Sequence, residues 1–261
     1  MTQAQKITAP DAPMPAPVHV TAGAGARALV VCEHASNYMP AAYNDLGLAG
    51  AARASHVAWD PGALPVARGI AAALGAPLVA GGYSRLIYDC NRPPEARDAI
   101  PARSEVFDIP GNAALDDTAR AARVADCYAP FQRALSAEVA RIGAPALITV
   151  HSFTPVYAGK PRAVDIGILH DTDTRLADMM LAHAAQHTAL RVARNAPYGP
   201  QDGVTHTLRL HALPHGALNV MLEVRNDLIA DEAAQAEMAQ MLARWLRASL
   251  AACGTVLDAA P

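Results

Sequence analysis

The stretch Ala28-Leu29-Val30-Val31-Cys32-Glu33-His34-Ala35-Ser36-Asn37-Tyr38-Met39-Pro40 decides how the chain reads. Its first half is short, wholly apolar and rich in β-branched residues, which is the pattern of a strand buried on both faces. The run stops at Glu33-His34 and passes into small residues closed by a proline. A carboxylate and an imidazole therefore stand where a strand leaves a sheet. In open α/β sheets, ligands bind just outside the carboxyl ends of strands. Two further stretches repeat the design. Ala146-Leu147-Ile148-Thr149-Val150 ends at His151-Ser152, and Leu218-Asn219-Val220-Met221-Leu222 ends at Glu223-Val224-Arg225. If one sheet gathers these three strands, their ends form a site.

Outward from these strands, the pattern alternates. A helix is expected over residues 63–74, stopped by Gly75 and Pro77, followed by a short strand at 78–80 and another at 83–90. Residues 93–114 hold four prolines and read as one long irregular loop, a kind often functional. Helical periodicity runs over 116–142, with a break near Pro130. After the strand at 146–150 come a strand at 163–169, a helix at 174–187 that Asp173 caps, and a strand at 190–193. A short helix at 205–213, a strand at 217–222 and a long helix at 229–252 complete the chain. Such alternation means an α/β fold with a mainly parallel sheet. Residues 1–26, rich in Ala, Pro, Thr and Gly, read as a loosely held arm, and 27–261 as one domain.

Composition narrows the class. The 261 residues suffice for a full core, and that core is aliphatic, since 52% are hydrophobic but only 5% aromatic. A formal charge of −3 with no Lys/Arg cluster offers no field for nucleic acid. No run approaches the ~20 apolar residues of a membrane span, and the start lacks the basic and apolar blocks of a signal peptide. The four cysteines form no CxxC pair, which fits a reducing, cytoplasmic setting. The expected partner is a small-molecule substrate, not a nucleic acid or a membrane; oligomeric state is open.

Imidazole is the commonest zinc ligand, and a catalytic zinc takes three protein ligands. His34 and His151, each after a buried strand, are the first two candidates. Asp60 is the candidate third, with His56 and Glu33 competing for that place. Glu223 is the candidate general base and acid; an ion pair with Arg225, two residues on along the strand, is its structural alternative. Arg85, Asn91 and Arg92 lie together on or after one expected strand, and planar guanidinium groups bind carboxylates through paired hydrogen bonds. Ser36 and Ser152 lie in no G-x-S-x-G elbow. His206 and His211 fall on different faces of their helix.

These residues resemble the N-formylglutamate amidohydrolase family. The blocks that carry the likeness are Cys32-Glu33-His34-Ala35-Ser36-Asn37, His56-Val57-Ala58-Trp59-Asp60-Pro61-Gly62-Ala63, Tyr83-Ser84-Arg85-Leu86, Asp89-Cys90-Asn91-Arg92, Ile109-Pro110-Gly111-Asn112, Val150-His151-Ser152-Phe153-Thr154-Pro155 and Leu222-Glu223-Val224-Arg225-Asn226-Asp227-Leu228-Ile229. They run in order from about residue 30 to 229. The family is distantly similar to the zinc carboxypeptidases and aspartoacylase. That resemblance implies a mixed, mostly parallel sheet flanked by helices in the zinc-carboxypeptidase-like (phosphorylase/hydrolase-like) manner, and water attack on an amide assisted by Zn2+ or another divalent metal. It implies His34 and His151 as metal ligands, Asn91-Arg92 as a carboxylate-binding pair helped by Arg85 or Arg225, and Glu223 as the proton carrier. The relatives carry an H-x-x-E pattern at the first histidine. Here Asn37 stands at that glutamate's position, so Asp60 takes the third place. The expected activity is cleavage of a small N-acyl acidic amino acid, N-formyl-L-glutamate as the named case. The alternatives are a metal-free Ser/His hydrolase and a catalytically silent protein that binds small carboxylates.

Overall fold

The computed structural model describes residues 16–257. Its elements in chain order are β1 (Val18–Thr21), β2 (Ala28–Cys32), α1 (Gly50–Ala54), α2 (Ala63–Leu74), β3 (Leu78–Gly81), β4 (Arg103–Ser104), β5 (Phe107–Asp108), α3 (Asp117–Arg123), α4 (Ala129–Ile142), β6 (Ala146–Phe153), β7 (Val156–Tyr157), β8 (Lys160–Pro161), β9 (Ile166–Leu169), α5 (Arg175–His187), β10 (Val192–Arg194), α6 (His206–His211), β11 (Asn219–Arg225) and α7 (Glu232–Ala252). Seven strands form one sheet in the order β1-β3-β2-β6-β11-β9-β10. The centre, β3-β2-β6-β11, is parallel throughout. Antiparallel joins add β1 at one side and the parallel pair β9-β10 at the other.

Every residue of β2 and β6 is buried, because helices cover both faces of the sheet. Alternate side chains divide between two cores. Val30, Cys32, Ile148, Val150, Val220 and Leu222 pack on α2, α5 and α7, against Ile70, Leu74, Met180 and Trp245. Leu29, Val31, Leu147 and Met221 pack on the opposite side with Phe131, Leu135 and Val139 of α4 and Leu208 of α6. Trp245 satisfies its indole N–H by donating to the Met180 carbonyl at 2.9 Å. Helix α2 buries Ala63, Val66, Ala67, Ile70 and Leu74, the spacing of one helical face, and Gly75 ends it in a left-handed conformation with φ of 66°. No helix among the described residues is long and apolar enough to cross a membrane.

The structure departs from the sequence reading at several places. The loop expected over 93–114 carries the β4-β5 hairpin, and α5 starts from Thr174 rather than from an Asp173 cap. Residues 83–90 are not a strand but a loop. Their backbone groups are taken by other partners: Ser84 N–H by the Tyr38 carbonyl, Arg85 N–H by that of Ala58, and Asp89 N–H by that of Ala99. Leu86 and Ile87 are apolar because this loop is itself buried. The helical break near Pro130 is a π turn over Val124–Tyr128 that joins α3 to α4. Strand β6 runs three residues past Val150, so His151 and Ser152 lie within the strand rather than after it. In the N-terminal arm expected over 1–26, residues 1–15 lie outside the described residues, and Val18–Thr21 forms the edge strand β1, paired residue for residue with β3.

Candidate active site

Register sets the site. In the β6-β11 ladder His151 lies directly opposite Glu223, and in-register neighbours of parallel strands point to the same face. That face also carries Leu147 and Met221, so the helix-packed core gives way to polar groups toward the strand ends. Val31 of β2 is opposite Thr149 of β6. Two residues further, Glu33 Oε2 approaches His151 Nε2 to 3.1 Å, although off the hydrogen-bond direction. His34 follows at the turn. Its carbonyl accepts the Asp60 N–H at 3.0 Å, which brings the chain just ahead of α2 across the strand ends. Ser152 Oγ donates to the Pro61 carbonyl at 2.8 Å and fastens β6 to the same turn.

His34, Asp60 and His151 come together in the buried centre of this arrangement. His151 Nδ1 lies 2.9 Å from Asp60 Oδ2 and 3.2 Å from His34 Nδ1, and His34 Nδ1 lies 3.3 Å from Asp60 Oδ2. The outer edge of each imidazole faces a carboxylate: His34 Nε2 donates to Asp89 Oδ1 at 2.6 Å, and His151 Nε2 faces Glu33. A carboxylate partner keeps the proton on Nε2 and turns the Nδ1 lone pair inward. The two Nδ1 atoms and a carboxylate oxygen then converge on one point, an arrangement that a shared proton or a metal cation stabilises. Ligands ~2.0–2.1 Å from a tetrahedral zinc lie about 3.3 Å apart; two of the three distances, 3.2 and 3.3 Å, match that edge, and the 2.9 Å contact is shorter. The residues present therefore fit a divalent metal.

Without a metal, protons on the histidines supply the positive charge that these carboxylates favour. Burial would depress both histidines, but Glu33 and Asp60 outweigh it and hold His151 well above the usual imidazole range. His34 is raised in the same way by Asp89 and Asp60, against burial and the nearby Arg85. Asp60 and Asp89 overcome their own burial and lie well below the usual carboxylate range, Asp60 through the two histidines and Asp89 through Arg85 and His34. Glu223 behaves oppositely. Burial pushes its carboxyl up to about 7, the Asp60 charge adds to the rise, and His151 opposes it. Its Oε2 is buried without a hydrogen-bond partner among the described residues. Gly167 of β9 lies opposite Glu223. A Cβ on Gly167 would meet the Ala196 carbonyl oxygen at 2.1 Å and Glu223 Cβ at 3.1 Å, so only glycine admits this close packing beside the carboxylate.

The site lines a cavity of about 520 Å³ that also takes in Arg85, Asn91, Arg92, His56, Tyr198 and residues of the β4-β5 and β7-β8 hairpins. Arg85 touches the triad, since Nη1 donates to Asp60 Oδ1 at 3.3 Å and Nη2 to Asp89 Oδ2 at 2.6 Å. Asn91 and Arg92 are largely spent on the fold. The Asn91 amide bridges the Val204 carbonyl and the Thr207 N–H. Arg92 donates to Asp98 and to the carbonyls of Asn91, Asp202 and Gly203. Arg225 does not line the cavity; it binds Asp165 and Asp227, so it is not the ion-pair partner of Glu223. His56 pairs with Glu105 at 2.8 Å on the rim, and Asn37 donates to the Arg53 carbonyl. Ser36 Oγ accepts the Tyr38 N–H and Ser152 Oγ is bound to Pro61, so neither hydroxyl engages an imidazole. His206 contacts the Tyr128 hydroxyl and His211 contacts Gln132.

Sequence reasoning assigned no role to Asp89, although an acid inside the apolar run Ile87-Tyr88-Asp89-Cys90 was a visible signal. It also passed over Arg162 and Tyr198, whose meeting depends on loops without periodicity. Comparison with known proteins bears on the chain as a whole. A solved gene product of Agrobacterium tumefaciens shares 52% of residues, with a TM-score of 0.89 over 92% of this chain and 97% of its own. An N-formylglutamate amidohydrolase from Ralstonia eutropha is 18% identical and has the same fold, with a TM-score of 0.59 over 89% of this chain and 98% of its own. A search of functionally curated proteins finds no match. The model of one family, N-formylglutamate amidohydrolase, matches residues 26–230 and so takes in all three strand ends and every residue of the triad. The chain belongs to the N-formylglutamate amidohydrolase family, hydrolases that act on an amide.

Proposed function

We propose that this cavity cleaves the acyl-amide bond of a small N-acylated acidic amino acid, N-formyl-L-glutamate in the first instance, with Zn2+ held by His34, Asp60 and His151. The observation that carries the reading is the convergence of two imidazole lone pairs and a carboxylate oxygen, each imidazole backed by a carboxylate, beside a buried glutamate. A divalent ion there supplies Lewis acidity, which polarises a carbonyl and acidifies water. Glu223 removes the proton of the attacking water. Burial raises its carboxyl above the ordinary carboxylate range, which helps it return that proton to the leaving nitrogen. The products are formate and free glutamate. Arg85, fixed by Asp60 and Asp89, keeps three N–H donors for the acyl oxygen as it gains charge. Asn91 and Arg92 hold the 202–207 segment in place as the cavity wall. The metal-free serine reading has no support in the contacts of Ser36 or Ser152. The test is release of glutamate from N-formyl-L-glutamate, with N-acetyl and N-succinyl glutamate and the aspartate series as competitors. Turnover of the formyl compound is expected, and its absence across the panel refutes the proposal.

A further inference from the structure

Three arginines line the cavity and all are neutralised, while a fourth, Arg162, lies against three of its aromatic lining residues. Arg85 is bound by Asp60 and Asp89, Arg92 by Asp98, and Arg103 by Asp108. Arg162 has no carboxylate partner among the described residues. Its backbone N–H donates to the Pro155 carbonyl, which fixes it at the foot of the β7-β8 hairpin. Its guanidinium carbon lies 5.4, 4.7 and 4.8 Å from the ring centres of Phe153, Tyr157 and Tyr198. All three rings line the cavity that holds the triad and Glu223.

A guanidinium meets aromatic rings with its faces and carboxylates with its edge. Here the guanidinium carbon lies over three rings. Of the five N–H donors, one goes to the Tyr198 hydroxyl at 2.7 Å and one reaches the Thr154 carbonyl at 3.4 Å. Three remain without an acceptor among the described residues. Tyr198 accepts from Arg162, so its own proton is left to donate elsewhere. A half-buried cation, held against three rings that line the cavity and left without a carboxylate, is arranged for a planar anion. Arg92, the candidate drawn from sequence, has a single N–H left after its four contacts.

We infer that Arg162, with the Tyr198 hydroxyl, is the recognition site for a carboxylate of the substrate and sets the preference for acidic N-acyl amino acids; this rests on the hydrolase reading above. Steady-state kinetics of wild type and Arg162→Gln on N-formyl-L-glutamate, N-formyl-L-glutamine and N-formyl-L-glutamate α-amide test it. Loss of charge-assisted hydrogen bonds is worth roughly ten- to a hundredfold. That loss in kcat/KM, carried by KM, is expected on N-formyl-L-glutamate and on one monoamide. The other monoamide, which lacks the clamped carboxylate, should lose less than about threefold, and it tells whether the α or side-chain carboxylate is bound. Equal loss on all three substrates, or none on any, overturns the assignment. Arg162→Lys keeps the charge and stem but not the planar fork. It should fold as wild type and show the same selective loss in smaller degree; undiminished kcat/KM on N-formyl-L-glutamate overturns the clamp. Calorimetric titration with glutarate separates this claim from the hydrolase reading. Glutarate should bind Arg162→Gln more weakly by the same factor, and unchanged binding refutes the clamp. Failure of wild type to hydrolyse any of the three compounds refutes the hydrolase reading alone.

Discussion

Replacing Asp89 with asparagine tests whether the outer carboxylates prepare the histidines for a metal. Asp89 Oδ1 accepts from His34 Nε2 at 2.6 Å and from the Asn91 N–H at 2.9 Å, while Oδ2 accepts from Arg85 at 2.6 Å. An amide has one acceptor and one donor end for these three donors. With its oxygen toward His34, its NH2 group faces the Arg85 guanidinium, donor against donor. With its NH2 group toward His34, it opposes the Asn91 N–H and forces His34 Nε2 to become an acceptor. The proton of His34 then moves to Nδ1, the atom that faces Asp60 and His151. Either orientation degrades the ligand set without removing a ligand. Changes to such outer partners cost about ten- to a hundredfold in metal affinity, or roughly 1.4–2.7 kcal/mol. The assay is competition for zinc between the protein and a chromophoric chelator, run on wild type and Asp89→Asn, with melting temperature as the control for folding. A folded Asp89→Asn that holds zinc as tightly as wild type would refute the reasoning.

Three further outcomes are expected. Glu223→Gln keeps shape and zinc but cannot carry a proton, so kcat should fall by roughly a hundred- to ten-thousandfold; in wild type, kcat/KM should rise with pH as Glu223 ionises. Its carboxyl lies at about 7 from burial, and a nearby divalent charge moves that limb to lower pH, so a limb centred well above 7 argues against Glu223. Asp165 is held at about 2 by Arg191, with Arg225 adding to it; its contribution is complete above the ordinary value of 3.8 and is lost as pH falls toward 2, so Asp165→Asn should lower the melting temperature at pH 7 by roughly 2–5 °C and by progressively less below pH 4, as read by thermal scans across pH. Ser152→Ala removes only the bond to Pro61, so activity should stay within about threefold, and a thousandfold loss would revive a serine mechanism.

What the sequence disclosed, it disclosed through strand ends. Apolar runs that stop at Glu33-His34, His151 and Glu223 are legible because a buried strand tolerates no such residue unless it reaches a site, and the register of β2, β6 and β11 does bring these ends together. Asp60 was reachable by its place just ahead of α2. Residues 83–90 misled because burial of a loop and burial of a strand leave the same apolar trace; only the carbonyls of Tyr38, Ala58 and Ala99 distinguish them. Arg225 misled for a related reason. It lies two residues beyond Glu223 on the same strand, but Asp165 and Asp227 draw it away from the cavity. Arg162 and Tyr198 meet across two loops separated by 36 residues, and nothing periodic announces such a contact.

The central claim is that a metal between His34, Asp60 and His151 supports amide hydrolysis. Its most direct measurement is to strip the protein with chelator, titrate zinc back, and follow glutamate released from N-formyl-L-glutamate. Activity should be lost on stripping, return in proportion to added zinc, and level off at one equivalent per chain. Undiminished activity in protein shown by elemental analysis to be free of metal would contradict the account.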